Sequence, residues 1–137
     1  MEKLNKQKVA VTKALKKFGY TSQKFVAHQP KSTEEYEELR DSLIQRFEFS
    51  TDIFWKFLML YMTDSLEITV EVASPKQVMR TALEHKLLTP EEYNLCIKMI
   101  NDRNLTSHTY NEELAEEISQ TLPTYSELLH ELLKKLA

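Results

Sequence analysis

An all-α fold, an up-and-down bundle of four long helices with one short extra helix, is predicted by three features of the chain. One glycine in 137 residues leaves few of the turn formers that sheets and hairpins need. Apolar residues recur at three-, four- and seven-residue spacings, the period of a helix that buries one stripe. The stretches between these segments are short and carry helix-capping residues, as in antiparallel bundles. The length suits a single domain over residues 1–137 whose core needs no staple. Rossmann folds and phosphate loops, which require several glycines, do not fit.

The first helix is expected from about Leu4 to Ala27, with Leu4, Val11, Leu15, Phe18 and Phe25 on its apolar face; Gly19 weakens it without ending it. Pro30 and the following Lys-Ser-Thr make the turn, and Ser32 or Thr33 caps a second helix from about Glu34 to Tyr61. Its first half carries a polar stripe of Asp41, Gln45, Glu48 and Asp52. Its second half, with Ile53, Trp55, Met59 and Leu60, is apolar nearly all round, which marks a central bundle helix or a dimer seam. Thr63 to Val72 alternates weakly and reads as an extended connector. Ser74-Pro75-Lys-Gln77 then opens a short helix to about His85 by an N-cap, a proline at the first helical position and a capping-box glutamine. Thr89-Pro90-Glu-Glu92 repeats the device. Asn111 caps a last helix whose stripe, from Leu114 through Leu122 to Leu136, stays in phase past Pro123, so one kinked helix is expected.

Charge and cysteine use narrow the classes. Net charge is −3, yet residues 1–31 hold eight lysines against Glu2, a net of +7 that leaves −10 for the rest. The first helix is therefore a basic rod, either a solvated face or a surface for phosphate backbones or an acidic partner. Cys96 has no partner for a disulfide and reads as a buried thiol. Without an apolar leader or a membrane-length run, a cytoplasmic protein is expected. His28, His85, His108 and His130 are widely separated with no second ligand at i+3 or i+4, so neither a metal site nor a cofactor is expected.

The chemistry concentrates in Asp102-Arg-Asn-Leu-Thr-Ser-His-Thr-Tyr110. On an unbroken helix Arg103 and His108 would lie about 140° apart, so a joint site requires the helix to stop. The Leu105-Thr-Ser-His-Thr segment, rich in hydroxyls that compete for backbone groups, predicts an end near Leu105 to Ser107 with His108 at or just past it. RNA can be cleaved by its own 2′-hydroxyl given a base near neutral pKa and a cation, without metal. His108 would be the base or acid and Arg103 the phosphate clamp. Asn104 and Tyr110 would contact the phosphate, and Glu48 would approach the cleft. The plainer alternative is that Asp102 and Arg103 merely cap and pair at a helix end.

Two stretches, Arg40 to Phe49 continuing through Trp55-Lys56, and Arg103-Asn-Leu-Thr-Ser-His108-Thr-Tyr110, resemble the nucleotidyltransferase substrate-binding proteins, a branch of the HEPN (higher eukaryotes and prokaryotes nucleotide-binding) superfamily. The second fits the superfamily pattern R-x4-6-H and its toxin form R-x4-H-x-Y. The resemblance implies a helical homodimer partnered by a minimal nucleotidyltransferase, the chain itself not being the catalytic nucleotidyltransferase subunit. In toxin members the arginine and histidine, here Arg103 and His108, form a metal-independent ribonuclease site, and the partner silences it by transferring AMP to the tyrosine, here Tyr110. The alternative implied is a non-catalytic subunit that binds substrate or nucleotide. Ser50-Thr51-Asp52 is more polar than the family pattern, and the connector lacks its glycines.

Overall fold

The computed structural model describes residues 2–27, 29–108 and 111–136, and for His108 the backbone alone. Its helices are α1 (Glu2–Ala27), α2 (Thr33–Leu60), α3 (Pro75–Glu84), α4 (Pro90–His108), α5 (Glu112–Ser119) and α6 (Leu122–Leu136), with no strand among the described residues. Three starts follow from the predicted caps. The Ser32 hydroxyl accepts from the Glu35 amide at 3.1 Å, and Asn111 Oδ1 accepts from the Leu114 amide at 2.7 Å. Thr89 and Glu92 form a full capping box, each side chain accepting from the other's backbone N–H, at 3.1 and 2.9 Å. Ser74 has extended backbone and Pro75 begins α3, but no side-chain bond closes that cap.

Helix α2 packs against each of the other five helices. Leu43, Phe47, Phe54, Phe57 and Leu58 are buried on it, while Ile53, Trp55, Met59 and Leu60 are half-buried against the core. Its second half is therefore a central bundle helix. The α1 stripe is buried as expected at Leu4, Val11, Leu15 and Phe18, with Phe25 half-buried at its end. No described helix is long and apolar enough to cross a membrane.

Two segments differ from expectation. The connector does not begin extended: Tyr61–Ser65 continue α2 as a π-helical turn, and the Ile68 amide closes back on the Met62 carbonyl at 2.9 Å. The expected kinked last helix is two helices, interrupted at Gln120 and Thr121. Pro123 has no N–H to give the Ser119 carbonyl, so the helix restarts with the proline in its first turn. The gap is short enough that Leu114 packs against the core and Ile118, Leu122, Leu129 and Leu136 are buried in it, keeping the apolar stripe.

Scarcity of glycine shows at two positions with left-handed backbone, Glu67 in the connector, with φ 55°, and Lys86. After α3 the Leu87 amide bonds to the Ala82 carbonyl at 2.9 Å and the Lys86 amide to Leu83 at 3.0 Å, a Schellman closure whose left-handed position is Lys86, with φ 61°. The lone glycine is used elsewhere, where α1 meets α6: a Cβ on Gly19 would lie 3.0 Å from the His130 ring. Lys86→Gly should therefore stabilise the protein by about 1 kcal/mol and Lys86→Val destabilise it, read as shifts in the urea midpoint; an unchanged midpoint for both would mean that this turn does not limit stability.

Candidate functional site

Helix α4 does not stop before the histidine. The hydroxyl of Thr106 bonds back to the Arg103 carbonyl at 2.8 Å, so it is satisfied inside the helix instead of competing with it, and His108 is the last helical residue. This falls at the C-terminal position expected for His108, but by a route that leaves the Cα positions of Arg103 and His108 about 140° apart around the axis. Within one chain the helix stop that would join them is absent. His28 and Tyr110, and the side chain of His108, lie outside the described residues.

Successive residues at this end are pulled in different directions. The carboxylate of Asp102 accepts from the hydroxyl of Tyr125 on α6. Tyr125 is itself buried and stacked on Phe47 with ring centroids 5.6 Å apart. Burial first, and the Asp102 carboxylate second, hold this phenol protonated well above its usual range.

One position on, Arg103 turns to α2. Its Nε and Nη2 donate to the two oxygens of Asp52 at 3.1 and 2.9 Å, a side-on bidentate pair. Its Nη1 donates to Glu48 Oε2 at a looser 3.3 Å and to the Ser107 hydroxyl. The Thr106 hydroxyl lies 2.7 Å from the same Glu48 oxygen, so its one proton is shared between that carboxylate and the Arg103 carbonyl. The Asp52 hydrogen bonds, against the opposing effect of burial, hold the guanidinium charged more firmly than usual. Arg103 and Thr106 meet α2 together because they are spaced i and i+3 on one helix face, with Ser107 beside Arg103 at i+4.

The structure thus brings Arg103 and Glu48 into contact, and it orients the polar stripe of α2 toward α4 and α5. Asp52 is the partner that sequence reasoning missed. It sits four residues after Glu48, on one helix face with it, and that spacing was the available signal. Asp41, Gln45 and Glu48 line a cleft of about 450 Å³ with Thr106 and Asn111, over an apolar floor of Ile44, Leu114 and Ala115. Asn104 is exposed on the neighbouring face of α4. Among the described residues no set of three His, Cys, Asp or Glu is grouped to hold a metal ion. Cys96 is buried, and burial pushes its thiol up to about 12, so it is an inert core residue.

A second charged network closes the far side of the cleft. Arg40, 3% exposed, donates to Glu112 at 2.7 Å and to Asp41 at 3.1 and 3.2 Å, and Glu116 lies 3.8 Å away. The hydroxyl of Tyr36 also donates to Glu116. Together these fasten α5, eight residues long, onto α2.

The family described as nucleotidyltransferase substrate binding protein like matches residues 7–137. The chain is also similar to a protein from Thermus thermophilus whose crystal structure is known. The two are 40% identical, the match covers 92% of this chain and 98% of that one, and the TM-score is 0.74. No curated protein matches significantly.

Removing the Tyr125 hydroxyl should loosen the α4 terminus that carries Arg103. Tyr125→Phe leaves the Asp102 carboxylate without its donor and should cost about 1–2 kcal/mol in urea unfolding. Amide exchange at residues 103–107 should quicken with it. Equal stability and equal exchange would show that this bond does not anchor the site.

Proposed function

Because the chain belongs to the nucleotidyltransferase substrate-binding-protein-like family, we propose that it is the partner subunit of a minimal nucleotidyltransferase and that it cleaves RNA at a metal-independent site built on Arg103 and His108. The observation that carries this reading is the posture of Arg103. Asp52 holds its Nε and Nη2 edge, while Nη1, resting on Glu48 and Ser107, is the donor a phosphate oxygen could take over. The Glu48 contact at 3.3 Å is the weak one, and Thr106 stands ready to keep that carboxylate when it leaves.

In the proposed reaction the ribose 2′-hydroxyl attacks the adjacent phosphorus and gives up its proton to a base. The 5′-oxygen leaves with a proton from an acid, yielding a 2′,3′-cyclic phosphate and a 5′-hydroxyl. His108 at the end of α4 is assigned the proton transfers. Arg103 stabilises the charge that grows on the phosphorane. Asn104 and Tyr110 are assigned contacts with the phosphate. The partner would silence the site by transferring AMP from ATP to the Tyr110 oxygen with loss of pyrophosphate. Arg103 and His108 leave the axis about 140° apart, which suits a cleft shared by two copies of the chain better than a site within one.

The substrate-binding subunit is the second reading, and the cleft beside Glu48 favours it. About 450 Å³ with an apolar floor and a polar rim suits a small ligand. The carboxylates of Asp41 and Glu48 would select a neutral or cationic one.

Purified wild-type protein should cleave RNA without added metal, leaving 2′,3′-cyclic phosphate ends. Arg103→Ala and His108→Ala should each lower the rate at least about 100-fold, whereas Glu48→Gln, by freeing Nη1, should not lower it. RNA left intact by the wild type, with a stable nucleotidyltransferase complex, would replace this reading with the second. The intact mass after co-expression with the nucleotidyltransferase should rise by one or more AMP units in the wild type and not in Tyr110→Phe.

The homodimer has its own test. Phe54 is wholly buried in the core of one chain, so Phe54→Asp unfolds the protein and reports nothing about a seam. Trp55 is half-exposed, with the Lys56 ammonium 5.8 Å from its ring centroid. Trp55→Asp should give a helical monomer by sedimentation; a dimeric variant would remove the second half of α2 from the seam.

A further inference from the structure

The basic character of the N-terminal helix has a structural counterpart that the Arg103 site does not use. Between α1 and α2 runs an open groove of about 560 Å³ whose charged lining is Lys13, Lys17 and Arg46. No carboxylate lines it, in a chain whose net charge is −3. Among the described residues none of the three cations is drawn into an ion pair. In the same groove lies Phe49, 61% exposed, whereas the other five phenylalanines are buried or half-buried.

We propose that this groove is a track for single-stranded RNA, with phosphates on Lys13, Lys17 and Arg46 and a base stacked on Phe49, leading over Gln45 into the cleft beside Arg103. Cations interleaved with an exposed aromatic ring are what an unpaired strand requires: backbone charge neutralised on one side and an unstacked base received on a flat apolar face. Lys13 and Lys17 lie one helical turn apart, about 6 Å along α1, close to the spacing of successive phosphates in an extended strand. The groove and the cleft that holds Glu48 and Thr106 adjoin, since Gln45 lines both. Phe49 and Asp52 are three residues apart on α2, so a base on the ring would bring the next phosphate toward the Asp52-held guanidinium. An acidic protein surface would also be drawn to the lysines, but it would not account for an exposed aromatic ring set among them on the side facing the Arg103 cluster. The choice of RNA as ligand rests on the ribonuclease reading; the test separates the two.

The test is fluorescence anisotropy with a labelled twelve-nucleotide 2′-O-methyl oligouridylate, which has no free 2′-hydroxyl and so can be bound but not cleaved. Wild type should bind it. The triple variant Lys13→Gln, Lys17→Gln, Arg46→Gln should lose at least about 10-fold in affinity at moderate salt, and the slope of log K against log salt should fall by about 2, three contacts at about 0.7 each. Phe49→Ala should lose about 5- to 100-fold at any salt. Circular dichroism shows whether the variants remain helical. Wild type that does not bind, or a triple variant that binds equally well, overturns the track. So does a triple variant that keeps the oligonucleotide but loses the nucleotidyltransferase partner, which would assign the face to an acidic protein. Cleavable RNA tells the readings apart: binding without cleavage fails the nuclease alone, and cleavage with unchanged KM in the triple variant fails the track alone.

Discussion

Everything in this molecule is positioned by α2, which must satisfy five neighbouring helices with one continuous surface. A helix packed on nearly every side has little room for charge, because an unpaired buried charge costs several kcal/mol. The polar stripe Asp41, Gln45, Glu48 and Asp52 lies on a flank where α4 and α5 do not close completely, and a cleft remains there.

That constraint gives two arginines different work. Arg40 sits almost wholly inside, and removing its side chain would release the half-exposed Glu112 and Glu116 of α5 from their hold on α2. Its raised pKa, against the cost of burial, reflects bonds to Glu112 and Asp41 that hold the charge in place. It is a fastening for α5. Arg103 has 21% of its side chain exposed, and Asp52, its firmest partner, is 44% exposed. Partners in water exchange readily, because water compensates what the pair loses. The same residue type is thus a buried fastening at Arg40 and a partly solvent-exposed side chain at Arg103.

Local signals in the sequence were enough for helix starts, since Ser32, Thr89 and Asn111 each act on an amide within three residues. They were enough for the core stripes as well, which depend only on period. They were not enough for the ends. Thr106 and Ser107 looked like helix breakers because a hydroxyl can compete for backbone groups, but here Thr106 bonds one turn back and across to Glu48. Such a residue can continue a helix as well as end it, and here its hydroxyl is shared between a local carbonyl and an acceptor 58 positions away. The break before α6 was hidden for the opposite reason: a two-residue gap leaves the apolar phase intact, and phase was the signal in use. Glu48 could be nominated from its stripe, but Asp52 as the clamp on Arg103 needed the angle at which α4 crosses α2, which no single segment encodes.

The electrostatics of the cleft bear on how an anion would enter it. Glu48 and Asp52 together outweigh the charge of Arg103, so the resting site is locally negative. A phosphate approaching it directly would meet repulsion on the order of 1 kcal/mol for each half-solvated carboxylate. The groove between α1 and α2 has the opposite sign and adjoins the cleft at Gln45. A strand held there would arrive already partly neutralised, and its local concentration would favour exchanging the long Glu48 contact for a phosphate oxygen. A free mononucleotide anion has too little backbone to use both surfaces at once. The same pair of opposed fields that would let a polymeric anion in would keep small anions out, so under the ribonuclease proposal an acidic protein would have a means of choosing RNA over the nucleotides around it.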